Sequence, residues 1–305
     1  MRIHPLLAAA LLFCFPLCPS MHAQQSPSAI AADPTPDKAN PAAMQTFQLP
    51  SHGALLNALV YVAEGPGPHP VVILLHGFPG NERNFDIAQT LRRDGYDVLF
   101  FDYRGSWGSP GNFSFTHSIE DAQSAIAYLR NPVNAKKLRA DPNDIVLFGH
   151  SMGGFIARYA AAQDPAIKAV VLVSAADMGV DKLQPIPPAQ RIHALHPLAT
   201  NLAAEGISPL AGCTPESLAQ DLITNATLWN VPNLAPKLTT RPILVITSDD
   251  GLAPSNDAFV AAVHKAGGTQ ITATHMPTDH SYSDHRIALQ QSILDFLNSL
   301  QHPKK

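Results

Sequence analysis

Gly149-His150-Ser151-Met152-Gly153 sets a serine between two glycines. The run 145–148 before it is apolar and β-rich, without polar alternation, which suits a strand buried on both faces. After it, Phe155, Ile156 and Tyr159 recur at helical spacing with alanines between them. A strand that turns at once into a helix crowds its own backbone, and glycine permits that approach. The turn holds the serine hydroxyl out at the carboxyl end of a sheet, at a helix N-terminus. Ser151 is therefore a candidate nucleophile for acyl transfer. That chemistry needs a base for the serine proton, an acid to orient the base, and N–H donors for the oxyanion.

Candidates for each part follow in chain order. His76-Gly77-Phe78-Pro79-Gly80 closes the apolar run 71–75 and supplies backbone N–H groups, Pro79 excepted because it has none. The run 243–248 ends in Asp249-Asp250-Gly251-Leu252-Ala253-Pro254, and a carboxylate at such a strand end can orient a histidine. His275, His280 and His285 come last. His275 lies in or just after the final strand, His280 in the loop after it, and His285 in the first turn of the closing helix. With Asp279 and Asp284 they form a cluster, but their spacing of five fits neither one helix face nor a standard zinc pattern. In the glycine-rich loop 102–111, Asp102 and Arg104 are expected to pair, and Trp107 and the nearby Phe113 are candidate pocket residues.

The elements that must position these groups alternate. Strands are expected at 46–49 and 55–63 (a hairpin), 71–75, 98–101, 145–148, 169–173, 243–246 and 270–274. Helices are expected at 84–94, 118–130, from 155 onward, 255–265 and 284–300. Such alternation describes an α/β fold, a mostly parallel doubly wound sheet with its site at the carboxyl ends of the strands. The interval 177–240 breaks the pattern with eight prolines and no strong strand, and a helix at 215–225 capped by Thr214. An insertion of that kind reads as a lid.

From 46 to about 300 the chain resembles the α/β-hydrolase family. The resemblance rests on Gly149-x-Ser151-x-Gly153 in its strand–turn–helix setting, on His76-Gly77, and on the late acid and histidine. It implies helices on both faces of the sheet and a helical cap over 177–240. It implies oxyanion donors at the N–H groups of Met152 and Phe78. It selects Asp250, three residues before a small-residue–proline step, with Asp249 as the alternative. It places the base at His280. Dehalogenases and epoxide hydrolases of this family carry aspartate at the elbow. Ser151 instead implies ester, thioester or amide cleavage, with no cofactor and no metal. The expected activity is carboxylic ester hydrolysis by a Ser-His-Asp triad. Alternatives are an aminopeptidase or prolyl-type peptidase of the same fold, with Glu205, Glu216 or Asp221 holding a substrate ammonium, and a catalytically silent ligand-binding homologue.

Charged residues make up only 14% of the chain and net charge is −4, with no Lys/Arg run, so nucleic acid is excluded as a partner. A small ester or peptide is the expected ligand. Residues 1–23 read as a secretory signal, with Arg2 and His4 before a short apolar stretch and Ala23 before the cleavage point. A secreted or periplasmic protein without stable membrane association is expected, a retained anchor being the alternative. Residues 24–45, rich in Pro and Ala, read as a disordered linker before a domain at 46–302. Cleavage would leave Cys213 alone, a small packing residue.

Overall fold

The computed structural model describes residues 28–301; the expected signal, residues 1–23, lies outside them. Eight strands form one sheet in the order β1-β2-β4-β3-β5-β6-β7-β8. They are β1 (Ala43–Ser51), β2 (Ala54–Val62), β3 (His69–Leu75), β4 (Asp97–Phe101), β5 (Ala140–His150), β6 (Ala169–Val173), β7 (Ile243–Thr247) and β8 (Ile271–His275). β1 pairs antiparallel with β2, and β2 antiparallel with β4; every other pairing is parallel. The β1–β2 turn uses His52 and Gly53, both at positive φ (44° and 83°), which matches the twist of a tight hairpin.

The inner parallel strands read as apolar runs because both faces of the sheet are covered there, whereas the edge strand β8 is half-exposed and mixed in polarity. Val71, Ile73, Ile145, Leu147, Val170, Leu172, Ile243 and Val245 belong to one core cluster. It is shared with α2 (Phe115–Arg130), α4 (Met152–Gln163) and α7 (Ala253–Lys265). Val72, Leu74, Val146, Phe148, Val171, Leu244 and Ile246 belong to the other, with α1 (Phe85–Arg93) and α8 (Arg286–Gln301). Burying each such side chain contributes about 1.5–3 kcal/mol. The chain leaves β3 for β4 on one side and returns to β5 on the other. The resulting crevice between β3 and β5 is where a doubly wound sheet accepts ligands.

Several boundaries differ from the sequence reading. β1 begins at Ala43, and residues just before it are not a loose tether. Ala29 and Ile30 pack on the α1/α8 core, the Ala29 carbonyl accepts from Arg93 Nε at 2.5 Å, and Asp37 N–H donates to the Glu64 carboxylate. A short helix, α3 (Pro132–Leu138), precedes β5. The cap interval holds α5 (Leu195–Ala204) and α6 (Pro215–Asn225) among short 3-10 turns. In α6, Thr214 Oγ1 accepts from Ser217 N–H at 3.1 Å while Ser217 Oγ accepts from Thr214 N–H at 2.9 Å, a reciprocal cap. Cys213 is free, half-buried and packed on the core. Among the described residues no helix is long and apolar enough to cross a membrane.

Candidate active site

Ser151 is the one residue between β5 and α4, at φ 57° and ψ −123°. A non-glycine residue held there costs on the order of 1–3 kcal/mol and persists only where its surroundings enforce it. They do so through backbone contacts. Ser151 N–H donates to Val173 O at 2.9 Å, and Ser151 O accepts from Ala176 N–H at 2.9 Å. A Cβ on Gly149 would overlap the Gly153 carbonyl, and one on Gly153 would overlap the Leu75 carbonyl. Gly149 is required by the close return of the first turn of α4, and Gly153 by packing against the end of β3.

Gly77, on the loop after β3, lies against the serine, since a Cβ there would stand 3.0 Å from Ser151 Cβ and 3.5 Å from its Oγ. His76 Nδ1 is 2.8 Å from the Gly77 carbonyl oxygen, so Nδ1 carries the proton and donates. The 77–78 peptide is trans, so pinning its carbonyl to His76 turns the Phe78 N–H the opposite way. Among the described residues, neither Phe78 N–H nor Met152 N–H donates to a backbone carbonyl. Met152 N–H belongs to the open N-terminus of α4. Burial lowers the His76 pKa to about 4, so the ring is neutral near pH 7. Phe78 is backed by Phe113 and Phe115, with ring centroids 5.9 and 5.5 Å away. Phe113 is only 3% exposed, whereas Trp107 is 37% exposed over the same loop.

The three C-terminal histidines each take a different carboxylate. His275 Nε2 meets Asp249 Oδ1 at 3.1 Å, with both side chains largely in solvent. His285 Nδ1 meets Asp284 at 2.9 Å, again with an exposed carboxylate. His280 Nδ1 meets Asp250 Oδ2 at 2.7 Å, and there the carboxylate is 5% exposed. Burial pushes the Asp250 carboxyl up. Hydrogen bonds from His280, Ser174, the Leu252 N–H and Ser248 outweigh it and hold the group well below the ordinary carboxylate range. The structure thus brings His280 and Asp250 together and sends Asp249 to His275. His150, the residue before the serine, donates Nε2–H to the His280 carbonyl oxygen at 2.8 Å, and the two rings lie 4.7 Å apart. Ser151 Oγ and His280 are not hydrogen-bonded to each other in this structure.

Two sequence expectations change. Asp102 and Arg104 do not pair. Arg104 Nε reaches Asp121 at 2.7 Å on α2, where Arg104 N–H and Ser51 Oγ also donate. Asp102 is left with Arg83, at 3.3 Å, and burial raises its pKa to about 6. Asp221, a candidate ammonium holder, is occupied by Thr116 N–H and Oγ1–H and by Asn225 Nδ2–H, joining α6 to α2. Glu205 and Glu216 are exposed. His150 and the loop-pinning contact of His76 were not anticipated. Their only signal was a histidine beside the glycine or serine of each motif. Among the described residues no three His, Cys, Asp or Glu side chains are grouped to hold a metal ion.

The sequence pattern of the α/β-hydrolase family matches residues 72–288, which takes in both loops, the elbow and the histidine loop. The chain belongs to the α/β-hydrolase family. Solved structures with the same architecture include Est1E from Butyrivibrio proteoclasticus, at 20% identity and TM-score 0.61 over 84% of this chain and 98% of that one. A thermostable carboxyl esterase from Bacillus coagulans matches at 19% identity and TM-score 0.65 over 85% and 99%. Among curated relatives, the quorum-quenching protein AidA of Acinetobacter baumannii is 30% identical over 43% of each chain. A multifunctional-autoprocessing repeats-in-toxin of Vibrio vulnificus is 27% identical over 65% of this chain and 3% of its own. The matched region covers less than half the length of these curated relatives. The structural neighbours bear out the fold; this α/β hydrolase has esterase-like neighbours.

Proposed function

We propose that the chain is a serine hydrolase that cleaves a carboxylic ester through an acyl-enzyme. His280 Nε2 takes the proton of Ser151 as the hydroxyl oxygen bonds to the ester carbonyl carbon. The carbonyl π pair moves onto its oxygen, where Phe78 and Met152 N–H groups hold it. Asp250 keeps the proton of His280 on Nδ1 and stabilises the imidazolium. The alcohol leaves with the proton from His280, and water, activated by the same ring, releases the acid. The observation that carries this reading is the 2.7 Å contact from His280 to a buried, ionised Asp250, on a loop hydrogen-bonded to the residue before Ser151. Of the three carboxylates that could hold a peptidase substrate's ammonium, Asp221 is already engaged, and Glu205 and Glu216 are exposed.

The test compares p-nitrophenyl esters of graded acyl length with amino-acid p-nitroanilides. Turnover of short esters that vanishes in Ser151→Ala supports the reading. Exclusive turnover of nitroanilides would favour the peptidase. The same reading includes export by residues 1–23, from the short apolar stretch followed by a proline-rich one. A native protein beginning at Gln24 by mass spectrometry supports it, and one retaining Met1 contradicts it.

A further inference from the structure

Trp107 touches both the loop after β3 and the cap. Its indole Nε1–H donates to the Pro79 carbonyl oxygen at 2.8 Å, one residue past Phe78. Its backbone N–H donates to the Pro209 carbonyl oxygen of the cap at 3.0 Å. Around it, Ser106 bridges Leu210, the Ala211 N–H donates to Gly105 O at 2.7 Å, and the Phe113 N–H donates to Ala211 O at 2.9 Å. The cap segment 209–211 is thereby laced to the loop that carries Trp107.

The indole is held on its other sides. The Arg83 guanidinium lies over its ring, 4.6 Å from the centroid, and is itself tied to Asp102 at 3.3 Å. Gly80 completes the fit, because a Cβ there would come 2.8 Å from Trp107 Nε1 and 2.6 Å from His76 Nδ1. Trp107 also has φ +50°, a strained value for a bulky side chain, which persists only where the surroundings enforce it. A side chain meant only to cover substrate needs neither the indole hydrogen bond nor that backbone.

We infer that the Trp107 indole N–H is a positioning group for the oxyanion loop, and that through Trp107 the cap holds that loop in its working shape. The inference rests on the serine-hydrolase reading. His76 fixes the Gly77 carbonyl before the Phe78 N–H, and Trp107 fixes the Pro79 carbonyl after it. With both neighbours of Phe78 pinned, the donor is preorganised for the oxyanion. Losing the second pin lets the donor drift in the transition state, where it matters most, and leaves ground-state binding nearly intact.

The test is Trp107→Phe in the full chain, which keeps a ring under Arg83 and removes the N–H. A trifluoromethyl ketone reports on the oxyanion hole. Ser151 Oγ bonds to its carbonyl carbon, the proton passes to His280, and the resulting alkoxide needs both donors. The expected result is a fall in kcat of about tenfold or more with KM held within about threefold, and a matching rise in the ketone's Ki. A second measurement does not depend on how Trp107→Phe folds. The chain has two tryptophans, Trp107 and Trp229, so in Trp229→Phe the emission reports Trp107 alone. It should shift on saturation with the ketone. A reactive wild type with kcat and Ki unchanged in Trp107→Phe, or a flat Trp107 emission, overturns the positioning role alone. A wild type inert to esters and ketone overturns the hydrolase reading and this role with it.

Discussion

His150 donates its Nε2–H to the backbone carbonyl of His280 at 2.8 Å. The residue before the elbow serine therefore holds the loop of the residue proposed as its base, across 130 positions of sequence. His150 is buried, and burial, with the neighbouring His280 charge second, lowers its pKa to about 3. It is a neutral donor at working pH. His150→Phe should lower kcat by about tenfold to a hundredfold, because the His280 carbonyl loses its donor and the loop relaxes. His150→Gln, whose amide can donate, should recover part of it. Steady-state kinetics on a short p-nitrophenyl ester check this, and equal losses in the two variants would contradict it.

The acidic pair Asp249 and Asp250 should separate cleanly. Asp250→Asn should lower kcat by about a thousandfold or more, since the ring would lose both its orientation and its counter-charge. Asp249→Asn, His275→Ala and His285→Ala act on exposed pairs and should stay within about threefold. His280→Ala should match Asp250→Asn or exceed it. Combining it with Ser151→Ala should add little, because the members of a triad act as one unit.

Much of this was legible in the sequence because it is local. Gly149, Ser151 and Gly153 declare the elbow within five residues, and apolar runs without alternation declare the covered parallel strands. The α6 cap was readable from Thr214 and Ser217 for the same reason. What sequence could not show was which partner a side chain chooses at long range. Arg104 prefers Asp121 because a buried carboxylate on α2 offers three donors a shared acceptor, and Asp102 then falls to Arg83. The helix α5 was hidden by Pro197, which a first turn tolerates without a break. The helix α3 was hidden by its shortness, although Asn131 caps it by accepting from Val133 N–H at 3.0 Å.

Asp97, at the start of β4, gives a pH signature of stability. It accepts the Ala63 N–H at 2.8 Å, and burial raises its pKa from 3.8 to about 7. A group raised on folding contributes stability that is full below its unfolded pKa and lost as pH rises toward the folded one. That loss runs from pH 3.8 to about 7. Asp97→Asn keeps an acceptor and removes the titration. Its melting temperature relative to wild type should therefore climb across this window and level off above it. A constant difference in melts across the window would contradict the assignment.

Asp221 offers a test of the peptidase alternative. Asp221→Ala removes the acceptor that joins α6 to Thr116 and should lower stability by about 1–3 kcal/mol, read by denaturant melts. Turnover of a small ester should change little. A selective collapse of nitroanilide turnover would instead mark Asp221 as a substrate contact.

The most direct measurement is active-site labelling of the folded protein with a fluorophosphonate, read by peptide mass mapping. The expected result is one adduct on the peptide containing Ser151, absent from Ser151→Ala and strongly slowed in His280→Ala and Asp250→Asn. Labelling that persists undiminished in Ser151→Ala, or a folded wild type that takes no label, would contradict the serine-hydrolase mechanism.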